Sequence, residues 1–281
     1  MTSKIALVED QMHAVHFAPA SLRALALSKK AEYARADPFP HAVLDNFLPT
    51  WLLERIVGEF PTRHADGWVQ FDGAQERKLA STHESSFGPA TQQLLINLNS
   101  AAFCEFLGEL TGIPGLIPDP YFVGGGMHQI ERGGFLKIHA DFNRHQRLGL
   151  DRRLNLLLYL NDDWEESYGG HLELWKTDMS ACAKRLLPSF NRCVIFSTTS
   201  DSFHGHPDPL KCPKGRYRRS IAAYYYTHGR PESETSEVHD TLFQPRPSER
   251  LRHRVRRACS MLLPPAMTLG AKRLRRLATG D

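Results

Sequence analysis

The chain has 281 residues, 41% hydrophobic, 10% aromatic and 23% charged, enough for a sizeable core in one or two domains and too apolar for wholesale disorder. Its 20 Gly and 18 Pro are too few for a collagen-like or low-complexity polymer. The net charge of +4 is uneven: from Arg246 onward ten Lys and Arg face only Glu249 and Asp281, so the body is about -4 and shows no field for gripping polyanions.

Met1 to Gln11 lacks a basic start followed by an apolar run, so no secretory signal is expected, and no stretch reaches the roughly 18 apolar residues of a spanning helix. Cys104, Cys182, Cys193, Cys212 and Cys259 contain no Cys-x-x-Cys pair and are odd in number, which argues against zinc or a disulfide framework and for a reducing cytoplasm. Residues 1–37 carry a modest helical pattern around Leu22, Leu25 and Leu27, ended by Asp37-Pro38. Pro40 to Phe47 reads as a short strand. Thr50, near an N-cap, opens an amphipathic helix through Trp51, Leu52, Leu53, Ile56, Val57 and Phe60. A second helix is expected from about Pro89 to Leu110, with Gly112 and Pro114 as its stop.

From Tyr121 to Thr227 the texture changes to short β-like runs: Met127–Ile130, Phe135–Asp141, Arg153–Leu160, His171–Trp175, Arg192–Ser197 and Arg219–Tyr226. Such runs without long intervening helices predict a mainly β fold with packed helices, an antiparallel sandwich or barrel such as a jelly roll. The expected organisation is an N-terminal helical segment (1–37), a strand with supporting helices (38–120), a jelly-roll core (121–230) and a basic C-terminal tail (231–281).

Within this core, strand alternation turns His139 and Asp141 to one face, where both can grip one metal ion. The third donor is sought in Asp201 to Pro207, after the apolar run Cys193–Phe196; His204 and His206 share one parity there. Two imidazoles and one carboxylate on a triangular face, with three positions open, suit non-haem Fe(II), although zinc accepts the same set.

The ordered elements His139-x-Asp141, Tyr159-Leu160-Asn161-x-Asp163-Trp164, Gly169-Gly170-x-Leu172, Pro188-x-Phe190-x-Arg192, His204 and Arg218-x-Ser220-Ile221 resemble the Fe(II)- and 2-oxoglutarate-dependent dioxygenases of the prolyl 4-hydroxylase type. The resemblance covers roughly residues 121–228. It implies a double-stranded β-helix, Fe(II), 2-oxoglutarate and O2, with ascorbate a candidate reductant, and the decarboxylation of 2-oxoglutarate to succinate coupled to C–H hydroxylation. Carried over, His139, Asp141 and His204 become the iron ligands, and Arg218 the anchor of the distal carboxylate of 2-oxoglutarate. Tyr159, with Asn155 on the same face, joins the co-substrate shell. Asn143, His145 and His206 are candidates for the substrate side, and the retained Asp141 argues for hydroxylation over halogenation.

The chain departs from the pattern at Ile130 and Leu136, where a Tyr is usual, and in a long interval from His204 to Arg218. Lys137 shares the parity of His139. A small-molecule and a prolyl-type peptide substrate both stay open. So do two other readings: a non-catalytic jelly-roll module that binds a metal or ligand, and a hydroxylase brought to RNA or the ribosome by the basic tail. That tail, from Arg246 to Leu277, is a candidate for nucleic-acid or membrane-surface contact, against a solvated extension.

Overall fold

The computed structural model describes residues 7–9, 15–62, 67–81 and 83–250. The chain divides into two compact units, residues 1–244 and 245–281. Most of the basic tail lies outside the described residues. Among the described residues no helix is long and apolar enough to cross a membrane.

A short hairpin, β1 (Leu7–Glu9) with β2 (Val15–Phe17), precedes α1 (Pro19–Ala34), which starts on a proline because its missing N–H costs nothing at a helix start. Leu22, Leu25, Ala26 and Tyr33 form its buried face, whereas Leu27 is 55% exposed. β3 (His41–Asp45) and α2 (Thr50–Gly58) follow; Pro49 is the N-cap of α2 and no side chain caps it, so Thr50 begins the helix. The hairpin β4 (Val69–Asp72) and β5 (Glu76–Ser81) comes next.

The single helix expected over Pro89–Leu110 is two, α3 (Pro89–Leu98) and α4 (Ala101–Thr111). Ser100 makes the break, because its hydroxyl accepts from the Phe103 amide at 3.3 Å and so caps a new helix. Gly112 ends α4 in the left-handed region, as expected. The start of α3 is capped from outside the helix: the Glu59 carboxylate accepts from the Ala90 and Thr91 amides at 2.8 Å each, a negative charge at the positive end of the helix.

The remaining strands are β6 (Ile117–Pro118), β7 (Gly126–Ile130), β8 (Phe135–Ala140), β9 (Asp151–Tyr159), β10 (Leu172–Trp175), β11 (Cys182–Leu186), β12 (Arg192–Ser197), β13 (His204–His206), β14 (Arg218–Thr227) and β15 (Leu242–Phe243). They curl into one antiparallel jelly roll in the order β11-β10-β13-β8-β5-β7-β14-β9-β12-β3, with β15 on β8. Residues 231–244, expected within the tail, therefore return to the sheet.

Alternation along β9 and its neighbours divides the molecule. Leu154, Leu156 and Leu158, with Cys193, Ile195, Ile221, Ala223 and Tyr225, face the helices and close a core with Phe47, Phe103, Phe106 and Leu107. The opposite parity, Leu157, Tyr159, Val194, Phe196, Ala222 and Tyr224, faces the interior of the roll. Burying one apolar face on helices leaves the other free to carry a site.

The Gly124–Gly126 run forms a turn, with Gly125 N–H on the Phe122 carbonyl at 2.9 Å. Gly126 has φ +84°, and a Cβ there would sit 2.4 Å from the Ser81 carbonyl oxygen, a backbone atom that cannot swing away. Gly126→Ala is expected to lower stability by about 1–3 kcal/mol, measured by denaturant unfolding; an unchanged midpoint would contradict this packing of β5 on β7.

Candidate metal centre

The antiparallel pairing of β13 with β8 sets His204 opposite His139. Their ring centroids lie 4.5 Å apart. Asp141, one residue past the end of β8, completes the group: its oxygens stand 3.7 Å from His139 Nε2 and 3.4 Å from His204 Nε2. The three donor atoms lie within 4.8 Å of one another.

Each imidazole is oriented through its other nitrogen. His139 Nδ1–H donates to the Lys137 carbonyl at 2.8 Å, and His204 Nδ1–H to the Ser202 carbonyl at 3.0 Å. A carbonyl can only accept, so the proton sits on Nδ1 and the Nε2 lone pair is left for a metal. Burial, then the neighbouring His139, lowers the pKa of His204 to about 4, which keeps it a neutral donor. Burial alone would raise the Asp141 pKa, but the Arg152 guanidinium, together with the facing His204 and His139 rings, outweighs it and holds the carboxyl well below its ordinary range. Two imidazole nitrogens and an ionised oxygen converging on one point fit Fe(II).

Arg152 is the functional neighbour that the sequence did not disclose. It is 1% exposed, and its guanidinium lies 3.3 Å from Asp141 Oδ2 and donates twice to Asn155 Oδ1, at 2.9 and 2.7 Å. The Tyr224 and Phe142 rings flank it at 3.6 and 4.5 Å. Strict alternation would send Arg152 to the helix side with Leu154; a register shift between Tyr225 and Tyr226, opposite Arg153, turns it inward. Asn155 donates to Asp141 Oδ2 at 2.7 Å, so the structure sets it beside the carboxylate of the candidate centre.

Arg218 is 5% exposed on β14. Its Nε donates to the Gly170 carbonyl at 2.8 Å and its Nη2 to the Tyr159 hydroxyl at 3.3 Å; among the described residues no carboxylate pairs with it. A buried cation bonded only to neutral oxygens fits an anion from outside. Gly170, at φ +73°, has no room for a side chain: a Cβ would lie 2.6 Å from Leu210 and 3.0 Å from Arg218. Arg219 points the other way, to Gln129 Oε1 at 2.8 Å, as parity required. Arg216 donates to the Asp162 and Asp163 carbonyls.

The structure ties Asn143 and His145 into the frame. Asn143 exchanges bonds with Ser236, Glu237 and His239, fastening residues 236–239 near β8. His145, fully buried, donates to Asp119 at 3.3 Å and accepts from the Arg147 and Leu148 amides. The Lys137 ammonium lies over the Phe135 ring at 5.4 Å. His206 is 4% exposed and turned inward, and burial and the Arg218 charge push its pKa well below the ordinary value. The long interval after His206 is packed: Leu210 exchanges backbone bonds with Gly133 and Gly134, and Leu210 and Cys212 are buried with Ile130 and Trp164. Phe243 on β15 brings its ring to 5.6 Å from His139.

Residues 125–226 match the family model of the 2OG-Fe(II) oxygenase superfamily. The chain is 27% identical over 202 residues to the prolyl 3-hydroxylase OGFOD1 of Mus musculus, a match covering 68% of this chain and 33% of that protein, so it spans about a third of this curated relative's length. Among solved structures it is similar to a Pseudomonas putida prolyl-4-hydroxylase (TM-score 0.51, 19% identity, 74% of this chain and 100% of that one). It is also similar to a Trichoplax adhaerens prolyl hydroxylase solved with a hypoxia inducible factor peptide fragment (TM-score 0.53, 15% identity, 74% and 91%). Both share the jelly-roll fold seen here.

Neutral, buried His204 and His206 have a consequence for pH. In the unfolded chain each imidazole takes up a proton near the ordinary value of 6.5, while the folded protein resists it to lower pH. The unfolded state then binds more protons below that value, and stability falls as pH falls. For the metal-free protein, unfolding free energy is expected to drop by about 2 kcal/mol between pH 7 and pH 5 through His204, with His206 acting in the same direction. Urea titrations at both pH values check this, and a flat profile would contradict neutral donors.

Proposed function

We propose that this chain, whose residues 125–226 belong to the 2OG-Fe(II) oxygenase superfamily, is a hydroxylase that couples decarboxylation of 2-oxoglutarate to succinate with hydroxylation of a substrate C–H bond. The observation that carries the reading is the convergence of His139, Asp141 and His204 in the same roll as a buried Arg218 that lacks a carboxylate partner.

His139, Asp141 and His204 would hold Fe(II), which would supply the activation of O2. The other tasks fall to side chains. Asn155 and Arg152 orient Asp141 and keep it ionised, so the metal site carries its negative charge at any working pH. Arg218 grips the distal carboxylate of 2-oxoglutarate, and Tyr159, whose burial raises its pKa and keeps its proton, donates beside it. Leu157, Leu172, Leu174, Val194 and Phe196 line the neighbouring interior and exclude water. With Asp141 retained, the coordination set supports hydroxylation.

For the substrate, the prolyl 3-hydroxylase relative supports a prolyl-type residue in a peptide or protein over a free small molecule. A reducing compartment such as the cytoplasm suits the free thiols of Cys104, Cys182, Cys193 and Cys212.

Anaerobic reconstitution with Fe(II), followed by O2, 2-oxoglutarate and prolyl peptides, is expected to yield succinate. His204→Ala should abolish it, and Arg218→Ala should raise the 2-oxoglutarate requirement by about tenfold or more. Wild-type protein that binds iron and 2-oxoglutarate yet yields no succinate with any peptide would favour the non-catalytic module.

A further inference from the structure

His206 stands apart from the other buried histidines. His139 and His204 donate to carbonyls, His145 bonds Asp119 and two amides, His171 bonds Glu166, and His41 meets the Phe39 carbonyl. His206 is more buried than any of them except His145 and His41, and among the described residues neither of its ring nitrogens has a hydrogen-bond partner. Native proteins rarely bury an imidazole with both nitrogens idle, and where they do the missing partner is commonly a ligand, ion or water.

Its surroundings say what kind of partner is missing. His206 follows His204 on β13, and the register shift between the two keeps both rings buried while His206 comes level with Leu136. His206 follows Gly205, which pairs with Glu173 of β10, and the Arg218 guanidinium is bonded to the Gly170 carbonyl just ahead of β10, so both come to the start of that strand; the full charges that act on His206 are Arg218 and Lys78, both positive. Lys78 is already matched by Glu76 at 2.9 Å, whereas Arg218 is bonded only to a carbonyl and a phenol. An idle N–H donor therefore lies at the same strand end as an unneutralised guanidinium, an arrangement that suits one anionic group reached by both.

We propose that His206 is a third binding residue for the distal carboxylate of 2-oxoglutarate, donating a ring N–H to it beside the Arg218 guanidinium and the Tyr159 hydroxyl. The assignment rests on the oxygenase reading and goes beyond it in giving this anion a donor from the strand that also carries the iron ligand His204. One short strand then holds both the metal and the co-substrate, each by an imidazole.

The test is a binding measurement on the full chain loaded with Mn(II) under anaerobic conditions. Titration calorimetry would compare 2-oxoglutarate with 2-oxobutanoate, which lacks the distal carboxylate. His206→Phe is expected to weaken 2-oxoglutarate by about tenfold or more, leaving 2-oxobutanoate and Mn(II) affinity unchanged, and His206→Gln, which keeps an N–H, should recover part of the loss. Equal 2-oxoglutarate affinity in wild type and both variants overturns the assignment. So does a parallel loss of Mn(II) affinity, which would make His206 a support for His204. Wild-type protein that binds Mn(II) but no 2-oxoglutarate would sink the oxygenase reading itself, a result distinct from either.

Discussion

Everything at this site depends on the register between β8 and β13. His139 and His204 are far apart in the chain, and the pairing that sets them opposite each other creates a donor group where neither strand has one alone. Register in a sheet is unforgiving, since a slip of one residue sends every side chain to the other face. Here it is set on both sides of β8: β13 pairs along one edge, while β5 and β15 contact the same strand elsewhere. Fixing β8 at several points by backbone pairing holds His139 and Asp141 in place.

The helices serve the same end indirectly. Leu156, Leu158, Ile195 and Ile221 are buried against helix residues, among them Phe103 and Phe106, so β9, β12 and β14 are fixed from behind. Their front parity can then carry polar groups, Asn155, Tyr159 and Arg218, that would be poor core material. The Glu59 cap on α3 and the Ser100 cap on α4 extend this support, because a frayed helix end would loosen the face on which the strands rest.

The readable part of the site was the part governed by alternation and residue order. His139 and Asp141 sharing a face, and Arg218 pointing away from Arg219, follow from a period of two, and the structure keeps both relations. Arg152 escaped because a bulge reverses the parity of β9 at Arg153, and a bulge of this kind has no signature in one strand read alone. Asn143 and His145 looked like loop residues free to meet substrate; their partners, Glu237 and Asp119, are remote in sequence, so only the folded chain reveals that they are engaged. The break between α3 and α4 was written locally in Asn99-Ser100, but the apolar spacing of three and four runs through it and masks the cap.

Charge explains why the metal and the co-substrate suit this interior together. Around the donors the buried charges are Asp141, paired with Arg152, and Arg218, which has no counter-charge among the described residues, while His204 and His206 are neutral. A divalent cation alone would add two positive charges to a site that already holds an uncompensated guanidinium. A dicarboxylate alone would bring two negative charges to one such guanidinium. Bound together, Fe(II) and 2-oxoglutarate leave the local charge as it was, so each lowers the electrostatic cost of burying the other. The Arg152 contact belongs to the same balance: by sharing Asp141 it weakens that carboxylate as a sole counter-ion for the metal, and so favours a centre completed by an anionic co-substrate.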